Sequence, residues 1–322
     1  MKRIIAVTNQ KGGVGKTTTA VNLAASLAAT QRRVLLIDLD PQGNATMGCG
    51  VDKRTLERSV TEVLLGDVNI VDAIVTIEAA GFDLLPANQD LTAAEVRLLT
   101  LLAGREHRLE KALVPVKDRY DVMVIDCPPA LNILTVNALT AADSVLVPMQ
   151  CEYYALEGLS GLMSTIEQIR DSVNPRLEIE GILRTMFDPR NNLSNDVAAQ
   201  LISHFGDRVF RTIIPRNVRL AEAPSFGVPA MLHDRDSRGA LAYLALAGEL
   251  IRRSEEPEAY YAENAPAPAE AASTTEAGET TLTLVENDAA PPPRVVEPDS
   301  EGPTPAEDSS PPSASIPYYG NH

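Results

Sequence analysis

The chain has 322 residues, with 44% apolar but only 4% aromatic side chains, no Trp, and 28 basic against 44 acidic residues for a formal charge of −16. The apolar content is ample for a core, and the scarcity of aromatics excludes a platform that stacks the bases of single-stranded nucleic acid. Three cysteines and four histidines, with no CxxC or HxxxH spacing, exclude a disulfide framework and the usual zinc and iron–sulfur patterns.

Met1-Lys2-Arg3 leads directly into a first strand-like run, Ile4–Thr8, which leaves no room for a signal peptide. No apolar run reaches the roughly 18 residues that span a bilayer, so a cytoplasmic location is expected. A glycine-rich loop follows, then a helical pattern over Thr18–Thr30 with Ala20, Leu23, Ala24, Leu27 and Ala28 on one side. Further strands are predicted at Val34–Asp38, Phe82–Pro86, Asp121–Asp126, Ser144–Pro148, Ile179–Met186 and Val209–Ile214. Several are unbroken apolar runs, as strands buried on both faces of a parallel sheet require. Helices are predicted at Ser194–Phe205, stopped by Gly206, and at Arg238–Arg253, with Leu241, Leu244 and Leu250 on the apolar side. This alternation predicts an α/β fold: a doubly wound, mostly parallel sheet with helices on both faces.

Composition changes abruptly after Arg253. Residues 254–322 hold 14 acidic residues against the single Arg294, and 12 of the 23 prolines. The body before them is nearly neutral. Such a segment cannot bury enough apolar surface to offset chain entropy. The sequence therefore divides into a folded domain, 1–253, and an acidic, disordered tail, 254–322.

The strongest local signal is Lys11-Gly12-Gly13-Val14-Gly15-Lys16-Thr17-Thr18, between the first strand and the first helix. That is the context of a P-loop. Its glycines let backbone N–H groups converge on phosphate oxygens, and the following helix points its positive end at the same anion. Lys16 is placed to meet the β- and γ-phosphates, and the Thr17 hydroxyl to ligate Mg2+. Lys11 is the departure from an ordinary P-loop. Lys16 already fills the space beside the phosphates, so Lys11 is either solvated or reaches across a dimer interface to a partner's nucleotide.

KGGVGKTT resembles the deviant Walker A motif of the ParA/MinD class of P-loop ATPases. VLLIDLDPQGN, from Val34 to Asn44, resembles that class's second motif with its switch segment, and VMVIDCPP, from Val122 to Pro129, its Walker B strand. CEYYALEG (Cys151 to Gly158) and IPRNVRL (Ile214 to Leu220) resemble the chromosomal ParA (Soj) branch. The resemblance covers residues 2 to about 253 and implies an ATPase that uses ATP and Mg2+. It implies that Asp40 orients the attacking water, that Asp126 acts on Mg2+ through a bound water with Asp38 in support, and that Pro215 and Asn217 contact adenine. It implies that Lys11 completes an ATP-dependent homodimer by acting as a cation in trans. The expected partners are non-specific double-stranded DNA and a ParB-type centromere-binding protein, with the protein associated with the nucleoid.

Residues 181–253 hold ten arginines and no lysine against seven acidic residues. That excess suits phosphate contacts without base reading. Arg190 and Arg219 are the first candidates for DNA contact, and Arg216 and Arg238 the next. Two alternatives stand. A MinD-like ATPase would bind membrane through a basic C-terminal helix, but an acidic, proline-rich end is repelled by anionic lipid, so no membrane partner is expected. A tyrosine kinase of the same P-loop class is suggested only by Tyr260-Tyr261 and Tyr318-Tyr319.

Overall fold

The computed structural model describes residues 2–263. Its strands are β1 (Arg3–Val7), β2 (Val34–Asp38), β3 (Val75–Ile77), β4 (Phe82–Leu85), β5 (Val122–Asp126), β6 (Ser144–Met149), β7 (Glu178–Phe187) and β8 (Val209–Pro215). They form one sheet in the order β3-β4-β2-β5-β1-β6-β7-β8. Every neighbouring pair is parallel except β3–β4. The doubly wound α/β expectation is correct. The short β3 is the strand that periodicity does not reveal, because three residues at an edge carry no usable pattern.

Alternation along the central strands builds two cores, one on each face. Ile4, Ala6, Leu35, Ile37, Met123 and Ile125 belong to one apolar cluster. Ile5, Val7, Val34, Leu36, Val122 and Val124 belong to the other. The helices Lys16–Ala29 and Arg238–Glu255 cover the second cluster through Leu23, Leu27, Leu246 and Leu250. The helices Ile133–Ala141 and Ala155–Ser172 cover the first through Leu134, Leu139, Leu159 and Leu162.

The predicted apolar side of the last long helix needs correction. Leu241 and Leu244 are exposed, and the buried stripe is Ala240, Tyr243, Leu246, Ala247 and Leu250. A 3.6-residue period through Leu250 selects that stripe once alanine and tyrosine count as core residues. The boundary at Arg253 also moves. The helix runs to Glu255, a second helix spans Pro257–Glu263, and Tyr260 is buried. The remainder of the expected tail, 264–322, lies outside the described residues.

A buried polar cluster holds this C-terminal extension to the sheet edge. β8 is an edge strand, whose free N–H groups would template further pairing. Glu249 closes them: its carboxylate accepts from the N–H of Arg211 at 2.9 Å and of Thr212 at 2.8 Å. The same carboxylate accepts from Arg253 Nη2 and from the Tyr260 hydroxyl, each at 2.7 Å. The Arg253 guanidinium lies 4.3 Å from the centre of the Phe210 ring. Removing the carboxylate leaves a buried guanidinium without its counter-charge and reopens the edge. Glu249→Ala is therefore expected to lower unfolding free energy by about 3–5 kcal/mol, measured by urea denaturation; a loss below about 1 kcal/mol would contradict this role.

Candidate functional site

β1 ends between β5 and β6, where the chain's winding changes side. Such a switch point opens a crevice at the carboxyl ends of the strands. The loop from Thr8 to Gly15 lies in it. Gly13 and Gly15 adopt φ of +75° and +88°, a region side chains avoid. A Cβ on Gly12, Gly13 or Gly15 would meet no heavy atom within 4 Å. The loop therefore borders open space, and its backbone conformation, rather than crowding, demands glycine at 13 and 15. Gly15 caps the helix Lys16–Ala29 without a side-chain hydrogen bond. The helix's first N–H groups are thus left for an anion.

Four side chains fix the loop: one from the loop itself, one from β7, one from the turn after β6 and one from the helix start. Asn9 donates to the Pro148 carbonyl at 2.8 Å and accepts from the Lys11 N–H at 3.0 Å. The Thr185 hydroxyl donates to the Val14 carbonyl at 2.8 Å. Gln150 donates to the Gly13 carbonyl at 3.4 Å. Lys16 is buried and donates to the Lys11 carbonyl at 3.1 Å. Burial lowers its ammonium below the ordinary lysine value, with Asp126 and Asp40 opposing. The Lys11 amine turns elsewhere, to Glu152 at 2.5 Å.

The three expected carboxylates are brought together but do different things. Both oxygens of Asp38 are occupied: one accepts from the Asp40 N–H at 3.2 Å, the other from the Thr46 N–H at 2.8 Å and hydroxyl at 2.7 Å. The Thr46 hydroxyl in turn accepts from the Ala87 N–H at 2.9 Å. Asp38 thus ties down the helix Asn44–Gly48. Asp126 is fully buried, and neither oxygen has a hydrogen-bond partner among the described residues. Burial, then the Asp38 charge, push its carboxyl well above the ordinary range; the Thr17 hydroxyl offsets part of this without reaching hydrogen-bond geometry. Asp40 is buried as well, with one oxygen accepting from the Gln42 N–H at 2.9 Å.

Among the described residues no group of three or more His, Cys, Asp or Glu side chains forms a metal cage. A bare buried carboxylate near a threonine hydroxyl suits a hard cation that keeps its waters and takes other ligands from phosphates. Pro215 and Asn217 line a cavity of about 190 Å³ with Gly15, Thr18 and Thr185, beside the loop. Asn217 Oδ1 accepts from the Leu220 N–H at 3.3 Å, so its oxygen caps a short helix.

All four candidate arginines are exposed, but their pairing differs. Arg190 forks onto Asp188 at 2.9 and 2.8 Å. Arg219 pairs with Glu222 at 2.8 Å and Asp234 at 3.1 Å. Arg216 and Arg238 have no hydrogen-bond or ion-pair partner among the described residues. Sequence reasoning missed Asn9, Thr46, Glu152 and Thr185, whose roles depend on distant segments meeting.

A family model described as an AAA domain matches residues 2–179. The chromosome partitioning protein ParA of Caulobacter vibrioides is 52% identical over 80% of this chain and 97% of its own. The sporulation initiation inhibitor protein Soj of Bacillus subtilis is 52% identical over 78% of this chain and 98% of its own. A Mycobacterium smegmatis structure named cobyrinic acid a,c-diamide synthase, with bound ADP and magnesium, superposes with a TM-score of 0.70 at 42% identity. That match covers 80% of this chain and 97% of the other. The chain belongs to the ParA/Soj family of partitioning ATPases.

The carboxylate cluster makes the nucleotide-free protein sensitive to pH. Burial pushes Asp38 up to about 6 against its hydrogen bonds to Thr46 and Asp40, and Asp126 is raised as well. An acid whose folded value exceeds its unfolded value favours the folded state only while protonated. Without nucleotide or Mg2+, the contribution of Asp38 is therefore lost as pH rises from about 4 through about 6, and that of Asp126 is lost in the same direction. Asp126→Asn should remove part of that decline in thermal unfolding scans. An unchanged pH slope in the variant would contradict the assignment.

Proposed function

We propose that this member of the ParA/Soj family is a partitioning switch driven by ATP hydrolysis. With ATP and Mg2+ two chains form a sandwich dimer, the dimer binds double-stranded DNA without sequence preference, and a ParB-type centromere-binding protein stimulates hydrolysis and release. The protein then works in the cytoplasm on the nucleoid. The observation that carries this reading is two lysines on one phosphate loop, with Lys16 buried in it and the Lys11 amine turned out to the rim.

The residues divide the chemistry among themselves. The loop from Gly12 to Thr18 cradles the phosphates, and Lys16 neutralises them. When bound, Mg2+ would be held by Thr17 and, through water, by Asp126, and would add charge neutralisation beside the phosphates. Asp38 acts one step back, by holding Thr46. Asp40 has one oxygen with no protein donor among the described residues, and orients the attacking water. Water adds to the γ-phosphorus as the bond to ADP breaks, and little covalent help is needed. Lys11 of the second chain offsets the charge that develops. Pro215 and Asn217 receive adenine in their cavity, Asn217 through its carboxamide nitrogen.

Other activities fit less well. Releasing ammonia from a glutamine side chain, as one route to amide synthesis, requires an accessible thiolate. Cys49, Cys127 and Cys151 are all buried, and burial pushes Cys151 up to about 11. A tyrosine-phosphorylating role loses its described candidate pair, because Tyr260 is buried against Glu249; Tyr318 and Tyr319 lie outside the described residues. No described helix is long and apolar enough to cross a membrane.

Phosphate-only binding requires exposed cations. Arg216 and Arg238 offer theirs directly, whereas Arg190 and Arg219 must first leave their carboxylates. DNA co-sedimentation with ATP, ADP or no nucleotide, in parallel with anionic liposomes, tests the reading. DNA retention with ATP alone is expected; liposome retention in its place would contradict it. Replacing Arg190 and Arg219, or Arg216 and Arg238, by glutamate should lower the salt slope by about 1 for each phosphate that is no longer neutralised. Asp40→Ala should bind ATP yet persist on DNA, and a variant that hydrolyses normally would refute the role of Asp40.

A further inference from the structure

The side chain of Lys11 does not extend free from the loop. Its Nζ lies 2.5 Å from Glu152 Oε2 of the same chain, and both side chains are about half exposed. The backbone on each side is fixed. The Lys11 N–H donates to Asn9, and the Lys11 carbonyl accepts from Lys16. Glu152 stands in the turn that follows β6. That turn is anchored where Ser194 donates to the Cys151 carbonyl at 3.2 Å and where Gln150 reaches the Gly13 carbonyl. Two fixed backbones thus present an ammonium and a carboxylate to each other across the rim of the site, and only the side chains are left to swing.

We propose that the Lys11–Glu152 ion pair is a resting latch, and that nucleotide-driven pairing of two chains must open it in both. The inference rests on Lys11 acting in trans, as proposed above. An ammonium already neutralised by a carboxylate of its own chain meets a partner's triphosphate with part of its charge offset, so the pair opposes dimerisation until it opens. Glu152 is therefore a positioning residue. It sets the protein concentration at which pairing occurs without touching the reacting atoms. An exposed pair of this kind is weak and screened by salt, which suits a latch that a multiply charged triphosphate overcomes. The same turn carries Tyr153 and Tyr154, packed edge to face at 5.0 Å and 73% and 71% exposed. Exposed aromatic anchors beside the latch are what an association face provides.

The test compares wild type, Glu152→Gln, Glu157→Gln and Lys11→Ala by sedimentation with a non-hydrolysable ATP analogue, in low and high salt. Glu157 lies in the first turn of the next helix and has no partner among the described residues. Its substitution removes the same charge without touching Lys11. Nucleotide affinity, measured well below the pairing concentration, should match wild type in Glu152→Gln and shows that the variant is folded. Opening one exposed pair corresponds to about 1.4- to 5-fold, and two open per dimer, so the dimer Kd of Glu152→Gln should tighten by about 2- to 25-fold. Glu157→Gln should pair like wild type, and the gap should narrow as salt rises. A Glu152→Gln Kd equal to or weaker than wild type overturns the latch. Undiminished pairing by Lys11→Ala overturns the trans reading itself, which keeps the two failures distinct.

Discussion

A single phosphate loop has room for one ammonium, and the rest of the molecule is arranged around that limit. Lys16 takes the position, buried at the helix start with its amine on the Lys11 carbonyl. Lys11 is five residues away on the same loop, yet its amine ends on another turn of the sheet. Two cations that cannot share one site are naturally read as belonging to two sites, one in each of two chains. On the proposed reading, fuel, pairing and the DNA surface depend on one lysine's reach.

The negative side of the site follows the same economy. Three carboxylates converge at the ends of β2 and β5, and burial together with their mutual charge raises Asp38 and Asp126. Among the described residues, Asp126 alone of the three is left without protein donors. Asp38, equally buried, is saturated by Asp40 and Thr46. The first keeps its oxygens open for a cation, and the second fixes the helix Asn44–Gly48 through Thr46. Both lie at the end of adjacent paired strands, with Asp38 opposite Asp126 in register.

Much of this was legible in the sequence because it is local. The glycine loop is one contiguous motif, and the central strands announce themselves because burial on both faces leaves their interiors apolar, with charged residues only at their ends. What was not legible depends on distant segments meeting. Lys11 and Glu152 are 141 residues apart. Thr46 looks like any helix threonine until Asp38 is beside it. Arg190 has Asp188 two residues away, a local pairing the sequence displays, whereas the link from Arg219 to Asp234 needs the fold. The domain boundary failed for a related reason. The acidic, proline-containing composition begins at 254, but Tyr260 and Arg253 still close a cluster around Glu249. The leucines of the last long helix misled because apolar type was read without alanine and tyrosine.

The most direct test of the central claim mixes two inactive variants, Lys11→Ala and Asp40→Ala, and measures ATP hydrolysis. In a mixed dimer the Lys11→Ala chain keeps its own Asp40 and receives Lys11 from its partner. If the lysine acts across the interface, the mixture regains activity that neither variant has alone, up to about a quarter of wild type in the limit of random pairing, since each mixed dimer has one complete site. If Lys11 serves its own nucleotide, no chain in the mixture is complete, and activity stays at the level of the separate variants.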